Sequence, residues 1–195
     1  DQEHAFQDEN GKEISLAGKS RKEIRELVNS GKVLFKEDEI INLRDKDPLE
    51  IRQLGVHLSF VPEDRLGMGL VGSMGMDENL MLKTSDEGSS VLTDRKIPRE
   101  RAEYIKNRLS VVTPSITTPV SQLSGGNVQK VLVGREISSD PTVMMTAYAV
   151  RGLDINTSYT IYSLLNEQKE NGIAVIYVGE ELDVLLELCD RIVVL

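Results

Sequence analysis

The segment LSGGNVQK (Leu123–Lys130) sets a serine and two glycines directly before a helical stretch. Glycine lets a backbone approach a ligand closely, and the first amides of a helix have no intrahelical partner, so such a start attracts anions. A phosphate suits that chemistry; an ordinary serine helix cap is the competing reading. Glu63 and Asp64 are adjacent carboxylates of the kind that can share acid–base work. His57 sits in the apolar run VHLSF, where a structural role is expected, and His4 is expected to be solvated. No spacing of His, Cys, Asp and Glu matches a zinc site. Met68, Met74, Met76 and Met81 cluster in one region, either as core or as an adaptable contact surface.

The elements that must position these residues follow from periodicity and turn chemistry. Residues 5–17 read as strand, turn, strand around Asn10-Gly11, and SRKEIRELV (Ser20–Val28) as a helix. KVLFKEDEII gives two more short strands, and Asp47-Pro48 opens a short helix. An apolar strand spans Val56 to Val61. Residues 64–92 are rich in Gly, Met, Ser and Asp and carry little pattern, whereas Ile97 to Leu109 reads as a helix with Pro98 in its first turn. After a Ser/Thr/Pro loop, the pattern becomes helix (Gly126–Ile137), buried strand (Thr142–Val150), helix (Thr157–Glu170), buried strand (Ile173–Gly179), helix (Glu180–Cys189) and a last strand, RIVVL. Strands without polar alternation, separated by helices, predict an α/β fold whose parallel sheet is covered on both faces.

Composition narrows the function. The 195 residues are 39% hydrophobic, enough for a real core. No run approaches the length of a membrane span, and the first residues do not resemble a secretory leader. The single cysteine, Cys189, forms no internal disulfide and fits a reducing, cytosolic setting. A net charge of −9 argues against nucleic acid as a partner. Residues 51–135 carry a slight basic excess within this acidic chain, either facing an anion or as a chance fluctuation.

LSGGNVQK resembles the signature motif of ATP-binding-cassette (ABC) transporter ATPases, in the variant found in the second, C-terminal cassette of fused sugar and nucleoside importer ATPases. FVPEDRLGMGL (Phe60–Leu70) resembles the segment around that cassette's Q-loop, with Glu63 where glutamine is usual. MDENLML (Met76–Leu82) resembles the next segment of the insertion, RGLD (Arg151–Asp154) the D-loop, and ELCDRIVVL the end of the core. The resemblance implies one nucleotide-binding domain over 1–195. Its core is a P-loop NTPase-type, mostly parallel sheet (about 1–65 and 130–195) with an antiparallel β edge and an inserted helical subdomain (about 66–129).

In this family two cassettes pair head to tail, each ATP lying between the phosphate loop of one and the signature motif of the other. The resemblance therefore implies that Ser124, Gly125, Gly126 and Asn127 face a nucleotide held by a partner cassette. Glu63, Asp154 and Glu180 become switch or interface positions, Asp154 equally well a helix cap. The implied partners are another cassette, in the same fused chain or a partner subunit, and membrane permease subunits. The implied location is cytoplasmic, on the inner face of the cell membrane. The ending at RIVVL suggests a piece of a longer chain.

The sequence also departs from the family. A phosphate loop needs G-x-x-x-x-G-K-[ST], whose amides cradle phosphates, whose lysine neutralises them and whose hydroxyl binds Mg²⁺. Gly18-Lys19-Ser20 matches its end, but Glu13 stands where the first glycine belongs, and about three residues are missing against the importer pattern. The metal aspartate and catalytic glutamate fall at Ala147 and Tyr148. Alanine ligates no metal, and tyrosine, with a pKa of about 10, is a poor general base. The switch histidine falls at Glu180, whose charge repels a γ-phosphate. The expectation is a cassette with a degenerate, non-hydrolytic site of its own. ATP and Mg²⁺ would then bind only in the composite site with the partner. The rivals are a hydrolase using Lys19, Ser20 and Glu180, and a regulatory or interaction protein on the same scaffold.

Overall fold

The computed structural model describes residues 6–7, 13–14, 34–36, 40–42, 46–84 and 95–194. The chain divides into two compact units, Asp1–Gly55 and Val56–Leu195. In the first, β1 (Phe6–Gln7) pairs antiparallel with β2 (Glu13–Ile14), and β3 (Leu34–Lys36) with β4 (Ile40–Asn42). The expected antiparallel strands are thus two separate two-stranded ribbons. The helix expected over Ser20–Val28 and the Gly18-Lys19-Ser20 triplet lie outside the described residues. Helix α1 (Pro48–Gln53) starts where the sequence signals it. Asp47 Oδ1 accepts from the Leu49 and Glu50 amides at 2.8 and 2.9 Å, and Glu50 Oε2 accepts from the Asp47 amide at 3.0 Å. This capping box satisfies amides the helix cannot, and Pro48 sits where a missing N–H costs nothing.

The second unit runs from β5 (Leu58–Val61) through a single π-helical turn (Arg65–Gly69) into α2 (Met76–Thr84) and α3 (Lys96–Arg108). It continues with α4 (Gly125–Ile137), β6 (Val143–Ala147), α5 (Ile155–Glu170), β7 (Ala174–Val178) and α6 (Leu182–Leu188). Of the weakly patterned segment over 64–92, the described residues hold the π-helical turn and α2. Met76 is in the core, whereas Met68 is exposed.

The strands form a parallel sheet in the order β5-β6-β7, with Leu58 opposite Val143 and Val143 opposite Ala174. Parallel neighbours joined by crossovers of one hand carry both crossover helices on one face. Val131, Leu132 and Val133 of α4 and Ile161 and Leu165 of α5 pack with Val61 and Met144 in one core cluster, each at most 1% exposed. Each such side chain contributes roughly 1.5–3 kcal/mol by leaving water. Among the described residues no element covers the second face, where Leu58, Phe60, Ile176 and Val178 are 58, 37, 50 and 37% exposed. The last strand, RIVVL, is also absent. Residues 191–194 form no strand, since no described strand pairs with them, and Val193 and Val194 are exposed to solvent.

Two contacts fix α4. Gly134 lies so close to α3 that a Cβ there would stand 2.6 Å from Ile105 Cγ2. At its last turn, fully buried Glu136 accepts from Arg135 Nε at 2.9 Å, Lys83 Nζ at 2.9 Å and the Phe60 amide at 3.2 Å, joining α2, α4 and β5.

Candidate functional site

Ligands of open α/β sheets bind outside the carboxyl ends of the strands, and the expected switch positions gather there. Glu63 lies two residues beyond β5, Ala147 ends β6, and Glu180 lies two residues beyond β7. Ala147 is in register with Val178, and the Tyr148 amide donates to Val178 O at 2.9 Å. Tyr148 has φ 51°, a left-handed backbone that costs a bulky side chain energy. The Arg151 guanidinium lies 5.9 Å from the Tyr148 ring centroid and donates to Glu63 Oε1 at 2.7 Å. Arg65 donates through Nη2 to Arg151 O at 2.5 Å and through Nε to Gln129 Oε1, on α4, at 2.7 Å. Ala147 and Tyr148 bring no carboxylate to this edge. Among the described residues no group of three or more His, Cys, Asp or Glu side chains could hold a metal ion.

Beside this cluster an open cleft of about 330 Å³ separates the start of α4 from the turn leading into α5. Ser124 to Asn127 form one wall, Gly152 to Asp154 and Thr157 the other, with Val112 and Lys130 on the rim. Ser124 caps α4: its Oγ accepts from the Asn127 amide at 3.5 Å and from Asn127 Nδ2 at 2.9 Å. A Cβ on Gly125 would meet no atom nearer than Arg65 Nη1 at 3.9 Å. Nothing in the chain itself therefore demands glycine there, yet a side chain would narrow the approach to the first amides of α4. The cleft thus fits a phosphate, with a serine hydroxyl, free helix amides and the cations Arg65 and Lys130 nearby.

Asp154 is the N-cap of α5. Its Oδ1 accepts from the Thr157 amide at 3.0 Å and its Oδ2 from the Thr157 hydroxyl at 2.7 Å. The Thr157 hydroxyl, then its amide, hold the Asp154 carboxyl below its ordinary value, so it stays ionised. The capping role is thus realised, on a residue that also lines the cleft.

The structure therefore brings Ser124, Gly125, Gly126, Asn127 and Asp154 to one cleft, and Glu63 to Arg151 beside it. Glu180 stands exposed at the sheet edge with none of these contacts. Arg65, Lys130, Val112 and Thr157 escaped the sequence reading. The signal was present for Lys130, three residues after Asn127 on one helical face; for Arg65 and Arg151 only the fold reveals it.

The architecture is shared with solved structures. A dimeric bacterial ABC transporter cassette, MJ0796, superimposes with a TM-score of 0.61 at 22% identity, over 77% of this chain and 66% of that one. The chain has the ATP-binding-cassette fold. The same cassette in a post-hydrolysis state bound to ADP and Pi matches equally well. By sequence, this cassette is 40% identical over 139 residues to the ribose import ATP-binding protein RbsA of Rhodopirellula baltica. It is 34% identical over 138 residues to the xylose import ATP-binding protein XylG of Moorella thermoacetica. Each match covers 71% of the cassette but 27% of the relative, and an RbsA of Corynebacterium glutamicum matches over 93% and 33% at 33% identity. The cassette thus spans between about a quarter and a third of the length of these curated relatives. No family model matches it. No helix among the described residues is long and apolar enough to cross a membrane.

Proposed function

We propose that this cassette is the second, C-terminal nucleotide-binding domain of a sugar-import ATPase, working at the inner face of the membrane with permease subunits. Its part is to close a composite site. Ser124, Gly125, Gly126 and Asn127 cover the γ-phosphate of an ATP held, with Mg²⁺, by a partner cassette, whose own carboxylates activate water. Its own site does not hydrolyse ATP. The relatives named for ribose and xylose import favour a sugar, a pentose, over a nucleoside as the substrate class.

One observation carries the reading: the signature segment opens on an open cleft of about 330 Å³, while Ala147 ends the central strand and Tyr148 follows it. A serine donor, helix amides and two cations suit an incoming triphosphate. Alanine and tyrosine supply neither a metal ligand nor a base of suitable pKa.

The test uses the full-length protein assembled with its permease and supplied with MgATP. Ser124→Ala with Gly125→Ala is expected to abolish ATP turnover, and Tyr148→Glu to restore none in this cassette's own site. Retained turnover in the first variant, or Mg²⁺-dependent hydrolysis by the isolated cassette, overturns the proposal.

A further inference from the structure

Asn127 controls which way the Ser124 hydroxyl can act. Its Oδ1 accepts from the Val112 amide at 3.0 Å and its Nδ2 donates to Ser124 Oγ at 2.9 Å. The Val112 amide can only donate, so the oxygen end of the Asn127 side chain must face it and the NH₂ end must face Ser124. The Asn127 backbone amide points at the same Oγ, at 3.5 Å. A serine hydroxyl has two acceptor lone pairs and one proton. With N–H groups on its acceptor side, the proton is left to point elsewhere, and Ser124 is exposed on the cleft.

An anionic oxygen accepts hydrogen bonds and donates none, so the Ser124 side chain can hold it only through that free proton. Resting on the reading of Ser124 as phosphate-facing, we propose that Asn127 is a positioning residue that fixes Ser124 as a donor to a phosphate oxygen. Its orientation is set in turn by residues 110–112, the segment leaving α3. That segment is held a second time from α4, where Lys130 Nζ donates to Ser110 O at 3.4 Å, and Ser110 adopts a left-handed φ of 49°. Withdrawing the Val112 amide would remove the contact that, among the described residues, holds the oxygen end of the Asn127 amide away from Ser124. Its oxygen would then take the Ser124 proton and silence the donor. A displacement of the helical insertion therefore reaches the phosphate-facing serine through one side-chain amide.

The test is a double-mutant cycle in the full-length protein assembled with its membrane subunits and given MgATP. Asn127→Asp keeps the shape and the Val112 bond but presents an acceptor to Ser124. It is expected to lower kcat by about tenfold or more, as Ser124→Ala does, with KM much less affected. The two losses are expected not to multiply in Ser124→Ala/Asn127→Ala, because Asn127→Ala acts on the same donor without setting a charge beside the phosphate. Thermal melts followed by circular dichroism check that every variant folds. A merely structural role would lower the melting temperature and leave kcat of the folded protein alone. Wild-type kcat in Asn127→Asp, or multiplying losses, overturns the positioning role while leaving the signature reading standing. Wild-type kcat in Ser124→Ala overturns both.

Discussion

Arg151 and Glu63, 88 residues apart in the chain, meet at 2.7 Å at the carboxyl edge of the sheet, with the Tyr148 ring beside the same guanidinium. The side chains are 61% and 48% exposed, so solvent screens the pair and its net worth is about 0–1 kcal/mol. Arg65 is different, because it donates to the backbone of Arg151 and to Gln129, which is fully buried. Glu63→Gln is expected to cost less than about 1 kcal/mol. Arg65→Lys, which cannot reproduce the fork, is expected to cost about 1–3 kcal/mol by stripping a buried acceptor of its donor. Urea unfolding of both variants checks the order; equal losses would show that Arg65 is no more anchored than a surface residue.

Glu136 should be the most sensitive charged position. It is fully buried between Arg135, Lys83 and the Phe60 amide, and Arg135 is itself buried. Glu136→Leu leaves a buried guanidinium uncompensated and is expected to cost about 3–5 kcal/mol. Lys83→Met should cost far less, since the lysine is partly exposed and Arg135 still neutralises the carboxylate. Calorimetric melting temperatures distinguish the two, and a larger loss for Lys83→Met contradicts this account.

The adjacent glycines Gly125 and Gly126 should separate stability from function. A Cβ at Gly125 makes only an ordinary contact, with Arg65 Nη1 at 3.9 Å, so Gly125→Ala is expected to leave stability within about 1 kcal/mol, while under the proposed function ATP turnover by the assembly falls. A Cβ at Gly126 would stand 3.1 Å from the Thr157 hydroxyl that secures Asp154. Gly126→Ala should therefore also loosen the cap of α5, at about 1 kcal/mol. Paired melting and ATPase measurements read both effects; a destabilised Gly125→Ala would mean that the chain itself needs that glycine.

Acid should find Asp154. Its folded carboxyl titrates below the unfolded value of about 3.9 because Thr157 donates to it twice. The unfolded state thus binds the proton first as pH falls. The stabilisation is complete above the ordinary carboxylate range and is lost as pH drops through the folded value. Thr157→Val removes the leading hydrogen bond, so the variant's stability should fall less steeply below about pH 4 than the wild type's. Denaturant midpoints measured from pH 6 to 2 test this; parallel curves would detach Thr157 from the titration.

Much of the architecture could be read from residues alone where the signal is local. Asp47-Pro48, Ser124 and Asp154 announce three helix starts because a cap needs only a short side chain and the next few amides. VMMTA and AVIYV read as parallel strands because they are apolar without interruption. That continuity also hid the exposed face. When residues on both sides are apolar, alternation carries no sign of which side is open. RIVVL has strand-forming residues, but pairing depends on a neighbour, which composition cannot supply. The cleft was half legible. Its serine and glycines are contiguous, whereas Arg65, in the π-helical turn after β5, comes close to Gly125 only in the fold.

The tight crossing of α3 and α4 carries a lesson for variation. Ile105 Cγ2 hangs directly from a branched carbon with little torsional freedom, so it cannot swing aside for a neighbour. Were codon 134 randomised and survivors sequenced, the pool should collapse to a single letter. The outward positions of the same helix should tolerate many.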